Sequence, residues 1–331
     1  MTDKKNKDHE YLTNKIKPFD VKNVKSVADL LDSLKNCGFQ GKNLGRALDI
    51  LYKMVSDDDI LTVLTLSGAM VPAGMGELIC VLMEQGLINA LVSTGANISH
   101  DLVDAVTNIG HYQGTTEVDD EELFKHRINR IFDVFLPEDS YDLAQERLLN
   151  LIKKGFSQKQ IEMCASDFLE NIGAQIDERC ILSIAAKHNI PIFIPAFTDS
   201  EFALNLAIYS DKEGYKFDFD MFADLKKFAD LISKAKKCGT IIIGGGVPRN
   251  WAQQVFPLLE HLKEVKNMGY DYSVRIHTAT ELDGGLSGCT ISESKSWGKY
   301  SLDSTYVSVW CDATIALPIL VSGLLQKLKI I

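Results

Sequence analysis

Several things that this 331-residue sequence lacks argue against whole classes of protein. Its 35 lysines and arginines are outnumbered by 45 acids, so it has no basic footprint for nucleic acid. No hydrophobic run is long enough to span a membrane, and residues 1–17 contain no apolar segment typical of a signal peptide. The seven cysteines are dispersed without a C-x-x-C pair, as in a reducing compartment, and give neither a disulfide framework nor a zinc site. We therefore expect a cytoplasmic protein without a metal, a nucleic-acid partner or a membrane association.

What the sequence does contain is a repeated pattern of strand, small-residue turn and helix. Residues 60–66 form a continuous apolar run that breaks at a Ser-Gly-Ala turn, and residues 88–92 repeat this signal before another small-residue turn. Such repetition indicates a parallel α/β sheet with right-handed crossovers. The sequence predicts a flexible arm over residues 1–16. It then predicts one large domain over residues 17–331, a Rossmann-like, doubly wound, mostly parallel sheet with helical decorations.

Other segments give less regular patterns. The acidic residues 111–140 predict a surface loop, and residues 141–188 predict helices without a strand. Ser26 is expected to cap the first helix, and Asp199 is a candidate cap for the helix that ends near residue 210. A further helix is predicted to start near His100.

Three consecutive glycines, Gly244, Gly245 and Gly246, follow a predicted strand and open a predicted helix. Glycines there allow close backbone approach, and the free N–H groups of a helix start suit a pyrophosphate. The run is not G-x-G-x-x-G, because Arg249 stands where the last glycine would be. A tight structural turn explains these glycines nearly as well as a nucleotide site does.

Residues 293–299 place an acid, an indole and an amine within seven positions, at Glu293, Trp297 and Lys299. A lysine held beside an indole and out of bulk water has a lowered pKa, because desolvation disfavours its charged form. Its free amine can then attack a carbonyl or imine carbon. The alternative is a solvated surface lysine at 299 and a tryptophan at 297 that anchors the core.

Residues 293–299, with Asp312-Ala313 and Leu317-Pro318 after them, resemble the active-site segment of deoxyhypusine synthases. Similar motifs recur in order from about residue 19 to residue 328. The resemblance implies NAD as a tightly held cofactor and Lys299 as the residue that carries the aminobutyl group of spermidine as an imine. It also implies a homotetramer with shared active sites. The acceptor is a protein lysine or, as in some proteins of the bacterial deoxyhypusine synthase-like branch, a small amine such as putrescine.

The resemblance also assigns binding residues. For the polyamine it implies Glu293, Trp297, Asn250 and His100. For NAD it implies positions that mostly follow predicted strands: Thr94, Gly95, Asp199, Gly244, Gly245, Gly246, Thr278, Ala279, Asp283, Asp312 and Ala313.

Several polyamine-binding positions differ from those of eukaryotic deoxyhypusine synthases. Leu204 and Leu286 stand where the family has aspartates, and a tyrosine is replaced by Arg275. His100 stands in place of a glutamate and Asn250 in place of a histidine. A site that has lost carboxylates and gained a cation is a poor match for a trication, because buried charges need partners.

Two acids close in sequence to the changed positions could offset the lost negative charge. Glu201 and Glu281 could restore negative charge, although Glu281 could instead neutralise Arg275. The donor is therefore left open between spermidine and a different amine such as agmatine or another diamine. A non-catalytic polyamine- or NAD-binding protein is the third alternative, and it does not explain why Lys299 is present.

Overall fold

The computed structural model describes residues 14–263 and 269–331, so most of the predicted N-terminal arm lies outside the described residues. Strands account for the buried apolar runs. They are β1 (Ile60–Leu66), β2 (Ala90–Ser93), β3 (Tyr112–Gln113), β4 (Ile128–Ile131), β5 (Val134–Pro137), β6 (Gln160–Met163), β7 (Ile192–Phe193), β8 (Lys216–Phe219), β9 (Lys237–Ile243), β10 (Tyr270–His277) and β11 (Tyr300–Trp310).

Helices connect most of these strands. They are α1 (Val27–Leu34), α2 (Phe39–Ser56), α3 (Gly76–Glu84), α4 (Gly95–Thr107), α5 (Asp120–Lys125), α6 (Glu138–Gly155), α7 (Ala165–Gly173), α8 (Ile181–His188), α9 (Glu201–Glu213), α10 (Met221–Ser233), α11 (Gly246–Lys263), α12 (Ile291–Lys295) and α13 (Ala313–Lys327). A short 3-10 helix, Val21–Asn23, precedes α1. None of the described helices is long and apolar enough to cross a membrane.

The central sheet has six strands in the order β11-β10-β9-β1-β2-β7, and every neighbouring pair is parallel. Because parallel strands need crossover connections, helices cover both faces. Leu64 of β1 packs into a core with α2 and α13, whereas its neighbour Val63 packs on the opposite face against Phe228 of α10 and Phe256 of α11. The predicted single-domain, doubly wound α/β fold is confirmed.

Local expectations had mixed outcomes. Ser26 caps α1 as predicted, since its hydroxyl accepts the N–H of Asp29 at 3.1 Å. The prediction for Asp199 was wrong, because the cap of α9 is Ser200, which accepts the N–H of Ala203. Helix α4 begins at Gly95, five residues before the predicted start. A Cβ at Gly95 would lie 2.3 Å from the Cβ of Ser200, so this helix start packs tightly on that of α9.

Two predictions of irregular or purely helical structure were wrong. Residues 111–140 contain α5 and a three-stranded antiparallel sheet in the order β3-β5-β4, and they do not form a simple surface loop. Residues 141–188 include β6, which pairs in parallel with β8. These strands are only two to four residues long, so they give little periodicity by which a sequence could reveal them.

Candidate active site

The strands of the central parallel sheet all end at one edge, and most residues assigned to NAD follow those ends. Thr94 and Gly95 come after β2, and Asp199 lies in the turn after β7. Gly244, Gly245 and Gly246 follow β9, Thr278 and Ala279 follow β10, and Asp312 and Ala313 follow β11. Asp283 lies in the longer loop beyond Ala279. This edge is where open parallel sheets bind their ligands.

The glycine run forms a strained turn at the start of α11. Gly244 and Gly246 have φ angles of +81° and +60°, which favour glycine. A Cβ at Gly245 would lie only 2.9 Å from the Cα of Ser287 and 3.2 Å from Nη2 of Arg275. The turn is therefore required by packing, and it also leaves the backbone N–H groups of a helix start at the edge where a phosphate would lie.

The turn after β1 is tied to the start of α4 by Asn97, a buried residue that sequence reasoning missed. Its amide nitrogen donates to the carbonyl of Gly68 at 3.1 Å, and its amide oxygen accepts the N–H of Met70 at 2.8 Å. Thr94 also donates to the Gly68 carbonyl at 2.8 Å. On the other side, the hydroxyl of Ser67 donates to the carbonyl of Gly245. The turns after β1, β2 and β9 thus form one connected edge.

Two of the three acids assigned to NAD have structural roles of their own. Asp312 caps α13 by accepting the N–H of Thr314 at 2.8 Å, and Asp283 accepts the N–H of Gly285 at the same distance. In each case only one carboxylate oxygen is used by the described residues, so the other is available to a ligand. Asp199 is exposed and caps no helix.

Lys299 is buried, with only 7% of its surface exposed, so it is not the solvated surface lysine of the alternative interpretation. Its Nζ donates to Oδ1 of Asn250 at 2.8 Å. Burial lowers the pKa of Lys299, and the positive charge of Arg249 lowers it further, whereas Cys289 and Glu293 act in the opposite direction. These surroundings therefore disfavour the charged form of the amine more than bulk water does.

Trp297 lies beside this amine, with its ring centre 5.7 Å from Nζ of Lys299. The indole is 64% exposed, so it is no core anchor. The short helix α12, capped by Thr290, and a turn at Gly298 with φ +68° present these side chains. Asn250 lies four residues into α11, so it is about 6 Å along the helix axis from the glycine turn.

Two buried arginines, Arg249 and Arg275, meet at the carbonyl of Cys289. Both Arg249 and Arg275 donate to the carbonyl of Cys289, at 2.6 and 2.8 Å. Arg275 also donates to the carbonyls of Gly244, at 3.1 Å, and Ser287, so it links the glycine turn to the following loop. Neither guanidinium has a carboxylate partner within residues 14–263 and 269–331, and Glu281 therefore does not neutralise Arg275 by an ion pair. Burial, and then Arg249, lower the pKa of Arg275 to about 10.

His100 lies elsewhere on the molecule, on α4. Nδ1 of His100 is 2.9 Å from Nε2 of His111, and Nδ1 of His111 is 2.7 Å from Oδ1 of Asp104. Burial, and then His111, lower the pKa of His100 to about 4. The structure thus brings Lys299, Trp297 and Asn250 together, but within one chain it does not bring His100 into contact with them.

Two of the divergent positions, both leucines, are accessible. Leu204 and Leu286 are 54% and 45% exposed. Glu201 lies one turn before Leu204 on α9, and burial together with the nearby Glu138 raises its pKa. An acid so placed would be stabilised by a cation, although it has no cationic partner in the described part of the chain.

The structure is thus an α/β protein with an open parallel sheet, a glycine-lined helix start at the carboxyl edge of that sheet, and a buried lysine amine beside that helix. Residues 29–324 match the deoxyhypusine synthase family model. The chain belongs to the deoxyhypusine synthase family and is an enzyme of the aminobutyl transferase class.

The relatives span nearly whole chains. Probable deoxyhypusine synthase 1 of Archaeoglobus fulgidus is 40% identical over 91% of this chain and 94% of its own. Probable deoxyhypusine synthase 2 of Methanosarcina acetivorans is 36% identical over 96% of this chain and 91% of its own. A solved structure from Entamoeba histolytica with the same family name covers 94% of this chain and 97% of its own. It has a TM-score of 0.66 and 19% identity, a likeness in fold alone.

Proposed function

We propose that this enzyme is an NAD-dependent transferase that moves the aminobutyl group of spermidine through an imine on Lys299 to an amine acceptor. The observation that carries this proposal is the buried amine of Lys299, hydrogen-bonded to Asn250 about one helical turn from the glycine-lined start of α11. A lysine in such surroundings has the chemistry for imine formation, which a surface lysine lacks.

The contact with Asn250 prepares Lys299 for attack. The carbonyl oxygen of the Asn250 amide accepts an N–H of the amine, so a neutral Lys299 keeps its lone pair free for an electrophilic carbon. The exposed face of Trp297 and the carboxylate of Glu293 would hold an ammonium group of the donor beside the nucleophile. In this arrangement the chain binds the donor and supplies the nucleophile with its own side chains.

The residues at the sheet edge fit NAD. Close approach of a pyrophosphate needs glycines at 244–246 and free N–H groups at the start of α11, and Asp312 and Asp283 each keep a carboxylate oxygen for a ribose hydroxyl. Thr94, Gly95, Asp199, Thr278, Ala279 and Ala313 would line the rest of the crevice. When bound, NAD accepts a hydride from the carbon beside the secondary amine of the donor and later returns it.

The proposal leaves two candidates for the acceptor, a protein lysine and a small amine. The names of the archaeal relatives favour a protein lysine, and the divergent polyamine positions favour a small amine such as putrescine. One assay separates them. Purified protein is incubated with NAD and spermidine, with and without putrescine, and 1,3-diaminopropane and homospermidine are measured. Release of 1,3-diaminopropane supports transfer, and homospermidine identifies a small-amine acceptor.

A second candidate is transfer from a different donor, such as agmatine or another diamine. The exposed Leu204 and Leu286 favour it, because they leave one end of the pocket without the carboxylates that hold a primary ammonium. Replacing spermidine by agmatine tests it, with guanidine measured as the leaving group in place of 1,3-diaminopropane. A protein that binds polyamine or NAD without chemistry would release no 1,3-diaminopropane, and it would not need the buried Lys299.

We further propose a homotetramer with shared active sites. Large apolar side chains are exposed around Lys299 and along the sheet edge, among them Trp297, Leu282, Leu286 and Trp310. A protein interface that covers such side chains would remove their apolar surface from water. Because His100 and Lys299 are not in contact within one chain, a neighbouring subunit would have to complete a site that uses both.

A further inference from the structure

Three buried basic side chains lie together at the carboxyl edge of the central sheet. Arg275 and His277 are two residues apart on β10, so they project to the same face of the sheet, and Arg249 lies in the first turn of α11. The three residues are 1%, 7% and 2% exposed, respectively. Burial, and then the charges of Arg275 and Arg249, lower the pKa of His277 to about 4. We call these three residues the basic cluster.

The basic cluster carries positive charge that no carboxylate of the described residues pairs with. Its guanidinium groups donate to carbonyls and to the hydroxyl of Ser294, and Glu281 acts on Arg275 only through space. Both guanidiniums donate to the carbonyl of Cys289, so two like charges lie close together in a buried place. Buried charges are costly when no opposite charge is near them, and carbonyl dipoles offset only part of that cost.

Two nitrogens of the basic cluster are also buried without a hydrogen-bond partner in the part of the chain that the structure describes. They are Nε of Arg249 and Nδ1 of His277. Such atoms are uncommon in folded proteins, and each one points to a bound water, ion or ligand. His277 directly precedes Thr278 and Ala279, two positions assigned to NAD. Unbalanced charge and unused hydrogen-bonding groups therefore occur together at the proposed cofactor edge.

The basic cluster is in direct contact with the glycine turn. Nε of Arg275 donates to the carbonyl of Gly244 at 3.1 Å, and its Nη2 would lie 3.2 Å from a Cβ at Gly245. The guanidinium therefore packs against the backbone of the turn. The free N–H groups at the start of α11 belong to the same turn and carry partial positive charge. An anion at this turn would be stabilised by the helix start and by the full charge of Arg275.

We propose that Arg249 and Arg275 are positioning residues whose charges hold the pyrophosphate of a dinucleotide at the glycine turn. This inference rests on the proposed function, because it takes NAD as the ligand. The two phosphate groups of a pyrophosphate are each negatively charged, so they balance two guanidiniums that have no carboxylate partner. Because Arg275 replaces the tyrosine of eukaryotic deoxyhypusine synthases, its charge is an addition to the site that the resemblance implies.

Ligand binding without any catalysis tests which anion the basic cluster recognises. Calorimetry on the wild type compares NAD, ADP-ribose, adenosine and inorganic pyrophosphate. ADP-ribose keeps the pyrophosphate and lacks the nicotinamide, whereas adenosine lacks both phosphates. We expect ADP-ribose to bind much more tightly than adenosine, because only ADP-ribose supplies the counter-charge. Binding of inorganic pyrophosphate without binding of ADP-ribose would overturn the assignment to a dinucleotide.

Two substitutions of Arg275 separate its charge from its hydrogen bonds. Arg275→Lys keeps the charge and loses most of the carbonyl contacts, whereas Arg275→Gln keeps a donor and loses the charge. We expect the affinity for NAD and for ADP-ribose to fall at least about tenfold in Arg275→Gln and much less in Arg275→Lys, with adenosine binding unchanged. Equal losses in the two variants would mean that Arg275 is merely structural. Arg147→Gln, on the exposed face of α6, is the matched control.

The same comparison is made with Arg249→Lys and Arg249→Gln, which decide the case if Arg275→Gln does not fold. If the wild type binds NAD and releases 1,3-diaminopropane but neither charge affects NAD affinity, the inference is wrong and the proposed function stands. If the variants behave as expected but no 1,3-diaminopropane is released, aminobutyl transfer fails and the inference stands. A wild type that binds neither NAD nor ADP-ribose would overturn both.

Discussion

The amine nitrogen of Lys299 lies 2.8 Å from the amide oxygen of Asn250, one helical turn into α11. This contact joins the segment of residues 293–299 to the helix that begins at the glycine turn. Two distant parts of the sequence thereby come together, with Lys299 placed by the turn that follows α12 and its amine held by Asn250 of α11. The relationship is specific, because Asn250 can accept from a neutral amine without supplying a negative charge that would keep it protonated.

Lys299 should be the residue that carries the covalent intermediate. Borohydride added during turnover with NAD and spermidine should reduce the imine and leave a mass increment on the peptide that contains Lys299. Lys299→Ala should lose both the adduct and the release of 1,3-diaminopropane, because no other amine replaces it as nucleophile. Lys295→Ala, four residues earlier and half-buried with its Nζ donating to the carbonyl of Leu302, is the matched control and should retain both. A fully active Lys299→Ala variant would rule out this role.

The charge of Arg249 should set the pH at which Lys299 becomes reactive. Burial lowers the pKa of Lys299 and Arg249 lowers it further, so removing the guanidinium should raise that pKa. Arg249→Gln keeps a donor for Cys289 and Ser294 but removes the charge. The rate of borohydride trapping increases as Lys299 loses its proton, so this increase should occur at a higher pH in the variant than in the wild type. Arg147→Gln, an exposed change on α6, should leave the profile unmoved, and an unmoved profile in Arg249→Gln would contradict the prediction.

Elements that show a local sequence pattern could be predicted, whereas elements that depend on contacts with distant parts of the chain could not. Strands β1, β9 and β10 were predictable because their side chains are buried on both faces, and such strands read as continuous apolar runs. The strand–turn–helix repeats likewise indicated which residues follow strand ends. The short strands β3 to β6 were missed because each is stabilised by its partner strand more than by its own pattern.

The contacts within the site were less predictable. Burial of Lys299 and the exposure of Trp297 depend on how α12 packs against α11, which no local pattern reveals. The pairing of His100 with His111 depends on a chain reversal at Asn108 and Gly110, and both residues use φ values above zero. The N–H groups of the buried Arg275 are paired with carbonyls and not with Glu281, because a loop brings the carbonyls of Ser287 and Cys289 to it.

The glycine turn gives a prediction in which packing and cofactor binding are measured separately. Gly245→Val places side-chain atoms where Ser287 already lies within 2.9 Å of a Cβ, so the loop after β10 must shift. We expect NAD affinity to fall by more than about tenfold and the melting temperature to fall as well. Gly76→Ala, where a Cβ would make only ordinary contacts, should change neither. Lowered stability with unchanged NAD affinity would mean that the turn is purely structural.

The assembly should be a homotetramer at micromolar concentration. Trp297 is exposed beside Lys299 and Leu286 is exposed in the loop after β10, and burying such side chains between subunits would contribute about 1.5–3 kcal/mol for each large apolar group. Light scattering coupled to size exclusion measures the mass directly. Trp297→Asp should weaken association, whereas Phe222→Asp, an exposed change on α10, is the comparison on another surface. A monomeric wild type would refute both the tetramer and the shared site.

The final prediction concerns how the site holds a cationic donor without the family's aspartates at 204 and 286. Glu201 lies one turn from Leu204, and its pKa is raised by burial and by Glu138, so a bound ammonium should stabilise its ionised form. We expect Glu201→Gln to weaken spermidine binding at least about tenfold, since a charge-assisted hydrogen bond contributes roughly 1.5–3 kcal/mol.

Leu286→Asp tests the opposite case, in which the lost carboxylate has not been replaced. If Glu201 compensates, calorimetry should find little gain in spermidine affinity for Leu286→Asp, and Leu262→Asp at the end of α11 should behave in the same way. Binding to the wild type should also weaken as the pH falls, because Glu201 becomes protonated at a higher pH than an ordinary glutamate and then offers no negative charge. A large gain for Leu286→Asp, with no loss for Glu201→Gln, would mean that the natural donor carries less positive charge at this end than spermidine does.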